Sequence, residues 1–119
     1  MYSQMTLNTN LEHLTSAEQV KNTINSNENV VVVCGRMGPM CVPVYGIMES
    51  LRDSGKHENI KFHDMLFDNP EAGVIRSLPE CQNFRGLPFT VYFKDGKVVK
   101  ATSSIQEPKQ VKDIIKEVF

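Results

Sequence analysis

Cysteine is scarce in this chain of 119 residues: there are three, Cys34, Cys41 and Cys81. An odd, small number does not make the disulfide framework of a small secreted domain, which leaves redox, metal or packing roles. No cysteine pair has CxxC spacing and no histidine pair has HxxxH spacing, so no metal centre and no cofactor is expected. Neither sign of charge is in excess. Thirteen Lys plus Arg stand against fourteen Asp plus Glu, a net charge of −1. That excludes the broad basic field of a nucleic-acid-binding domain. Long apolar runs are missing as well: the longest, Val30 to Cys34, is far short of the roughly 20 residues of a membrane span. The first ten residues, MYSQMTLNTN, carry neither a basic start nor an apolar stretch. No signal peptide and a cytoplasmic location are therefore expected. Repeats and low-complexity segments are absent.

Hydrophobic residues make up 40% and charged residues 23% of the chain, enough for one ordinary domain with a buried core. Residues 1–10 read as a polar N-terminal segment and 11–119 as the domain, with Met5, Leu7 and Leu11 marking a short edge strand. Thr15 and Glu18 have capping-box spacing ahead of a helix carrying Val20 and Ile24. Val30-Val31-Val32-Val33-Cys34 is a β-branched run, the pattern of a central strand buried on both faces. After a loop at Gly35–Pro39, a helix from about Cys41 to Ser54 repeats Val44, Ile47, Met48 and Leu51 at helical spacing. Pro43 fits only in its first turn. Ile60 to Phe67 reads as a strand, and Asp68-Asn69-Pro70 opens a third helix that Pro79 ends. Phe89–Phe93 and Val98-Val99 flank Asp95-Gly96, a strong hairpin signal. Glu107–Phe119 is amphipathic. The order is (β)αβαβαββα, an α/β chain with a mixed sheet and helices on both faces; the early strands are parallel through right-handed crossovers.

That order resembles the thioredoxin family, with two local segments in support. One is Asn83-Phe84-Arg85-Gly86-Leu87-Pro88 followed by the strand and by Phe93-Lys94-Asp95-Gly96-Lys97. It is similar to the family's cis-proline turn, strand and hairpin. The other is the valine run followed by Gly38-Pro39-Met40-Cys41, where the family keeps its CxxC. A second register sets Cys41-Val42-Pro43-Val44 on that motif. Helix phase favours the first, because counting from Val44 would bury Glu49 and Ser50. Either way only one cysteine of the usual pair is present, and in the favoured register Gly38 replaces the exposed, attacking one.

The resemblance implies a thioredoxin fold over roughly residues 12–119, a cis-proline at Pro88 and a peptide groove built from Met37, Gly38, Pro39, Gly86, Leu87 and Pro88. Polypeptides, rather than nucleic acid or a membrane, are the partners such a groove suits. The family's buried acid falls on Val32, and its glycine after the last strand is not evident in Thr102-Ser103-Ser104. Cys41 at a helix start is placed to act as a thiolate nucleophile. Cys34 stands two residues past Val32, and strand alternation is taken to point both toward the second helix, giving a CxxxxxxC disulfide partner for Cys41. Cys81 reads as a packing thiol and His13, His57 and His63 as solvated. Two functions follow: an atypical thiol–disulfide oxidoreductase using Cys41 and Cys34, or a redox-inactive module that holds a protein partner in the proline groove.

Overall fold

The computed structural model describes residues 6–83 and 86–119; Met5, Phe84 and Arg85 lie outside the described residues. The elements are β1 (Glu12–Leu14), α1 (Ala17–Ser26), β2 (Asn29–Gly35), α2 (Val42–Asp53), β3 (Ile60–Leu66), α3 (Gly73–Arg76), β4 (Phe89–Lys94), β5 (Lys97–Ser103) and α4 (Pro108–Val118). Short 3-10 turns at Pro70–Ala72 and Pro79–Cys81 flank α3, so the expected third helix begins at Pro70 as 3-10 and keeps only Gly73–Arg76 as α-helix.

The five strands lie in the order β1-β3-β2-β4-β5. β3 runs parallel to both β1 and β2, while β4 is antiparallel to β2 and β5. β2 is central and every one of its residues is buried, which is why its sequence is a valine run instead of an alternation. Its faces still differ. Val31 and Val33 join the core under α2 and α4. Val30, Val32 and Cys34 join the core under α1 and α3.

Helix α2 buries Val44, Tyr45, Met48 and Leu51, and each such side chain contributes about 1.5–3 kcal/mol by leaving water. Its phase is the one counted from Cys41: Glu49 is half-buried and Ser50 exposed. The edge strand falls at Glu12–Leu14 rather than around Leu7; Leu7 and Leu11 are core residues. The cap of α1 is Ser16, whose Oγ accepts the Gln19 N–H at 3.0 Å, while Thr15 donates to the Gln19 side chain. Asp95 and Gly96 both take positive φ, 54° and 81°, the tight hairpin geometry their sequence demands. Lys97 and Lys100 stand exposed along β5 and guard the open edge of the sheet. No helix among the described residues is long and apolar enough to cross a membrane.

Candidate functional site

The site forms where β2 ends, above the start of α2 and beside the turn into β4. Gly38 begins it: its carbonyl accepts the N–H groups of Cys41 and Val42, both at 3.0 Å. This single turn makes Cys41 the N-cap of α2. Pro43 follows inside the first turn, where its missing N–H costs no hydrogen bond.

Gly35 is the pivot. A Cβ placed on it would lie 2.7 Å from Tyr45 Oη, 2.9 Å from Pro88 Cβ and 3.0 Å from Cys41 Sγ. Three side chains, two from α2 and its cap and one from the proline turn, therefore converge on a backbone that has no room for another. The sulfur accepts the Arg36 N–H at 3.5 Å, and Tyr45 Oη donates to the Arg36 carbonyl at 2.9 Å. Burial, with the Cys41 sulfur as the next contributor, pushes the Tyr45 phenol well up, so it stays a neutral hydroxyl. Cys41 is thus lodged against Gly35, Tyr45 and Pro88, and only 3% of it is exposed.

The proline turn closes the other side. The Leu87–Pro88 peptide is cis, and the Pro88 carbonyl accepts the Ser104 N–H at 3.1 Å. Ser104 has φ 67°, a left-handed conformation usually left to glycine. A Cβ on Gly86 would come within 2.6 Å of Ser104 Oγ, so a glycine here lets the chain pass. Among the described residues the Leu87 backbone N–H and C=O have no partner. Met37, Met40 and Val42, in the loop before α2 and its first residue, stand 48%, 45% and 44% exposed. Beside the end of β2 lies an ion pair. Arg36 binds Asp68 through two hydrogen bonds of 2.8 Å, which hold the Asp68 carboxyl below its usual range. Arg36 and Arg76 both lie over the Phe67 ring, at 5.3 and 5.5 Å.

The structure thus brings Cys41 and Pro88 together, with Gly38 at the opening of the turn. It does not bring Cys34 to them. Alternation along β2 holds, but its phase is opposite to the expected one: Val33 faces α2, so Val32 and Cys34 face α1 and α3. All three thiols are free. Cys34 shares its core with Cys81, and burial pushes their thiols up to about 12 and about 11.

Two histidines also differ from expectation. His13 Nδ1 lies 2.7 Å from Oδ1 of Asp64, a fully buried carboxylate that also accepts the Thr9 hydroxyl. Thr9, inside the segment read as a polar lead, is therefore tied to the domain. His63, in the interior of the sheet, is 8% exposed and its Nδ1 has no partner among the described residues. Burial lowers its pKa from 6.5, so the folded chain holds it neutral while the unfolded chain protonates it. The stability it confers is complete above pH 6.5 and fades as acid passes its folded value. Asp64 has the reverse sign, because burial raises its carboxyl. Denaturation between pH 7 and about 5 should show an acid loss in the wild type that is reduced in His63→Gln; equal pH slopes would refute this.

No protein-family model matches the chain, and no curated protein matches it in sequence. Solved structures do match. Mitochondrial thioredoxin 3 of Saccharomyces cerevisiae, in its oxidised form, superposes with a TM-score of 0.72 over 91% of this chain and 95% of that one, at 19% identity. The thioredoxin of Malassezia sympodialis gives 0.73 over 98% and 97%, at 15% identity. The fold is that of thioredoxin. The thioredoxin of Plasmodium falciparum agrees, with a TM-score of 0.69 at 18% identity over 92% of this chain and all of that one. On this thioredoxin fold the residues that reasoning from sequence missed are Gly35, Tyr45 and Ser104. Tyr45 had a signal, since it lies four residues after Cys41 and one helical turn brings such positions together. Ser104 had none, because serine rarely adopts positive φ.

Proposed function

We propose that this protein is a thioredoxin-fold module that holds an extended segment of a partner polypeptide across the Leu87–Pro88 turn by non-covalent contacts. The observation that carries the reading is the state of Cys41. It is the thiol nearest the turn and is 3% exposed, and a half-buried glycine, Gly38, not a second sulfur, stands three residues before it. A nucleophilic thiol must meet its electrophile, and this one is closed off by Tyr45, Pro88 and the Gly35 backbone. Cys34, the partner a redox cycle would use, points into the opposite core.

What is open at this site suits binding. An extended peptide would pair with the backbone of Leu87, which has no partner among the described residues, as strand-addition modes do. Met37 and Met40 offer adaptable apolar contacts to its side chains. The redox alternative, with Cys41 attacking a disulfide carried by the partner, keeps three supports: the Arg36 N–H aimed at the sulfur, the place of Cys41 at the N-cap of α2, and the likeness of the fold to thioredoxins.

The test is an amide-shift titration of the full chain, under reductant, with capped extended decapeptides rich in apolar residues. Shifts should centre on Met37, Gly38, Leu87 and Ser104, and Pro88→Ala should weaken binding about tenfold, equivalent to about 1.4 kcal/mol. A complex that forms only without reductant, or shifts away from this turn, would refute the reading.

A further inference from the structure

A second concavity lies at the far end of the sheet. Helices α2 and α4 share one face, and between their C-terminal ends is a cleft of about 590 Å³. That volume is within the range of small-molecule sites. It is remote from the proline turn: Ile60, in its floor, pairs with Asn29 at the start of β2, whereas Gly35 at the proline turn ends that strand. Seven strand residues separate the two by about 20 Å.

The floor is apolar, built from Leu51, Ile60, Ile115 and Phe119. The rim carries three lysines. Gly55, with φ 75°, turns the chain sharply where α2 stops and brings Lys56 and His57 over one side. Lys112 and Lys116, one turn apart on α4, line the other. No Asp or Glu lines the cleft, although the chain as a whole has a net charge of −1. None of these three lysines has an ion-pair partner among the described residues, in contrast to Lys109, which holds Asp113 on the same helix at 2.9 Å. Like charges four residues apart weaken a helix, and an anion lodged between Lys112 and Lys116 removes that repulsion.

We propose that this cleft binds a small amphipathic anion, a carboxylate on an aliphatic chain of medium length. The chain lies on Leu51, Ile60, Ile115 and Phe119, and the carboxylate is held by Lys56, Lys112 and Lys116. The apolar floor distinguishes this from a site for a bare inorganic anion, which would leave the floor wet. Burial of the chain supplies affinity in proportion to the area covered, and the lysines select the head group.

The experiment uses the full-length chain and octanoate, with octanol and inorganic phosphate as the separated halves of the ligand. Octanoate should shift the amides of Leu51, Ile60 and Ile115 saturably. Octanol and phosphate should each bind at least about tenfold more weakly, a difference of about 1.4 kcal/mol. The double variant Lys112→Glu/Lys116→Glu should weaken octanoate by at least the same factor and leave octanol unchanged. Lys112→Gln/Lys116→Gln repeats the test without reversing charge and should weaken octanoate to a lesser extent. The proposal is overturned if octanoate and octanol bind alike, if phosphate alone binds as well as octanoate, if neutralised lysines keep full affinity, or if the shifts lie elsewhere. Because the proline turn takes no part, Pro88→Ala should leave octanoate binding intact.

Discussion

Gly35→Ala is expected to lower the unfolding free energy by about 3 kcal/mol, the upper end of the overpacking range. The added methyl would stand 2.7 Å from Tyr45 Oη, 2.9 Å from Pro88 Cβ and 3.0 Å from Cys41 Sγ, and none of the three yields easily. The tyrosine hydroxyl is held by the Arg36 carbonyl, the proline is a rigid ring, and the sulfur belongs to the residue that caps α2. Relief in one direction drives the methyl into another neighbour. A loss of that size lowers the melting temperature by about 10 °C in a domain of this length. Gly38→Ala is the control: a Cβ there meets nothing within 4 Å, and its effect should stay within about 0.5 kcal/mol. Denaturant and thermal unfolding of the two variants measure the contrast. Equal losses would mean that Gly35 is not the point on which the site is packed.

Much of the scaffold was legible because its signals are local or periodic. The valine run of β2, the period of α2, the Asp95-Gly96 turn and the amphipathic face of α4 each follow from one physical rule acting over a few residues. The boundaries that shifted did so locally: Ser16 took the cap that Thr15 and Glu18 suggested, and the third helix opens as a 3-10 turn and keeps one α-helical turn, Gly73–Arg76. The candidate site was legible in part. Cys41 and Pro88, which the fold sets on either side of Gly35, could be named from the sequence, but the face on which Cys34 lies was not legible. A strand buried on both sides carries apolar residues at every position, so its sequence holds no record of which parity faces which helix. His63 and Asp64 were missed for a related reason, since β3 buries polar groups that normally mark a surface. Ser104 adopts its left-handed conformation because the Pro88 carbonyl and Gly86 receive it, a tertiary contact without local trace.

Protection of the thiols is the other large effect. The thiolate is the species that reacts with an alkylating agent. Burial pushes the Cys34 thiol up to about 12, so little of it is thiolate at neutral pH, and its side chain is fully buried. Cys81, pushed up to about 11, is shielded in the same core. For Cys41 the barrier is steric: its sulfur is packed among Gly35, Tyr45 and Pro88. The measurement that bears most directly on a groove that binds without thiol chemistry is therefore site-resolved alkylation, read by mass spectrometry, in native and denatured protein. All three cysteines should label at least about a hundredfold more slowly in the native chain, at rates set by opening of the fold. Native labelling of Cys41 within about tenfold of its denatured rate, with Cys34 and Cys81 still protected, would show an accessible nucleophile at the proline turn and contradict the non-covalent reading.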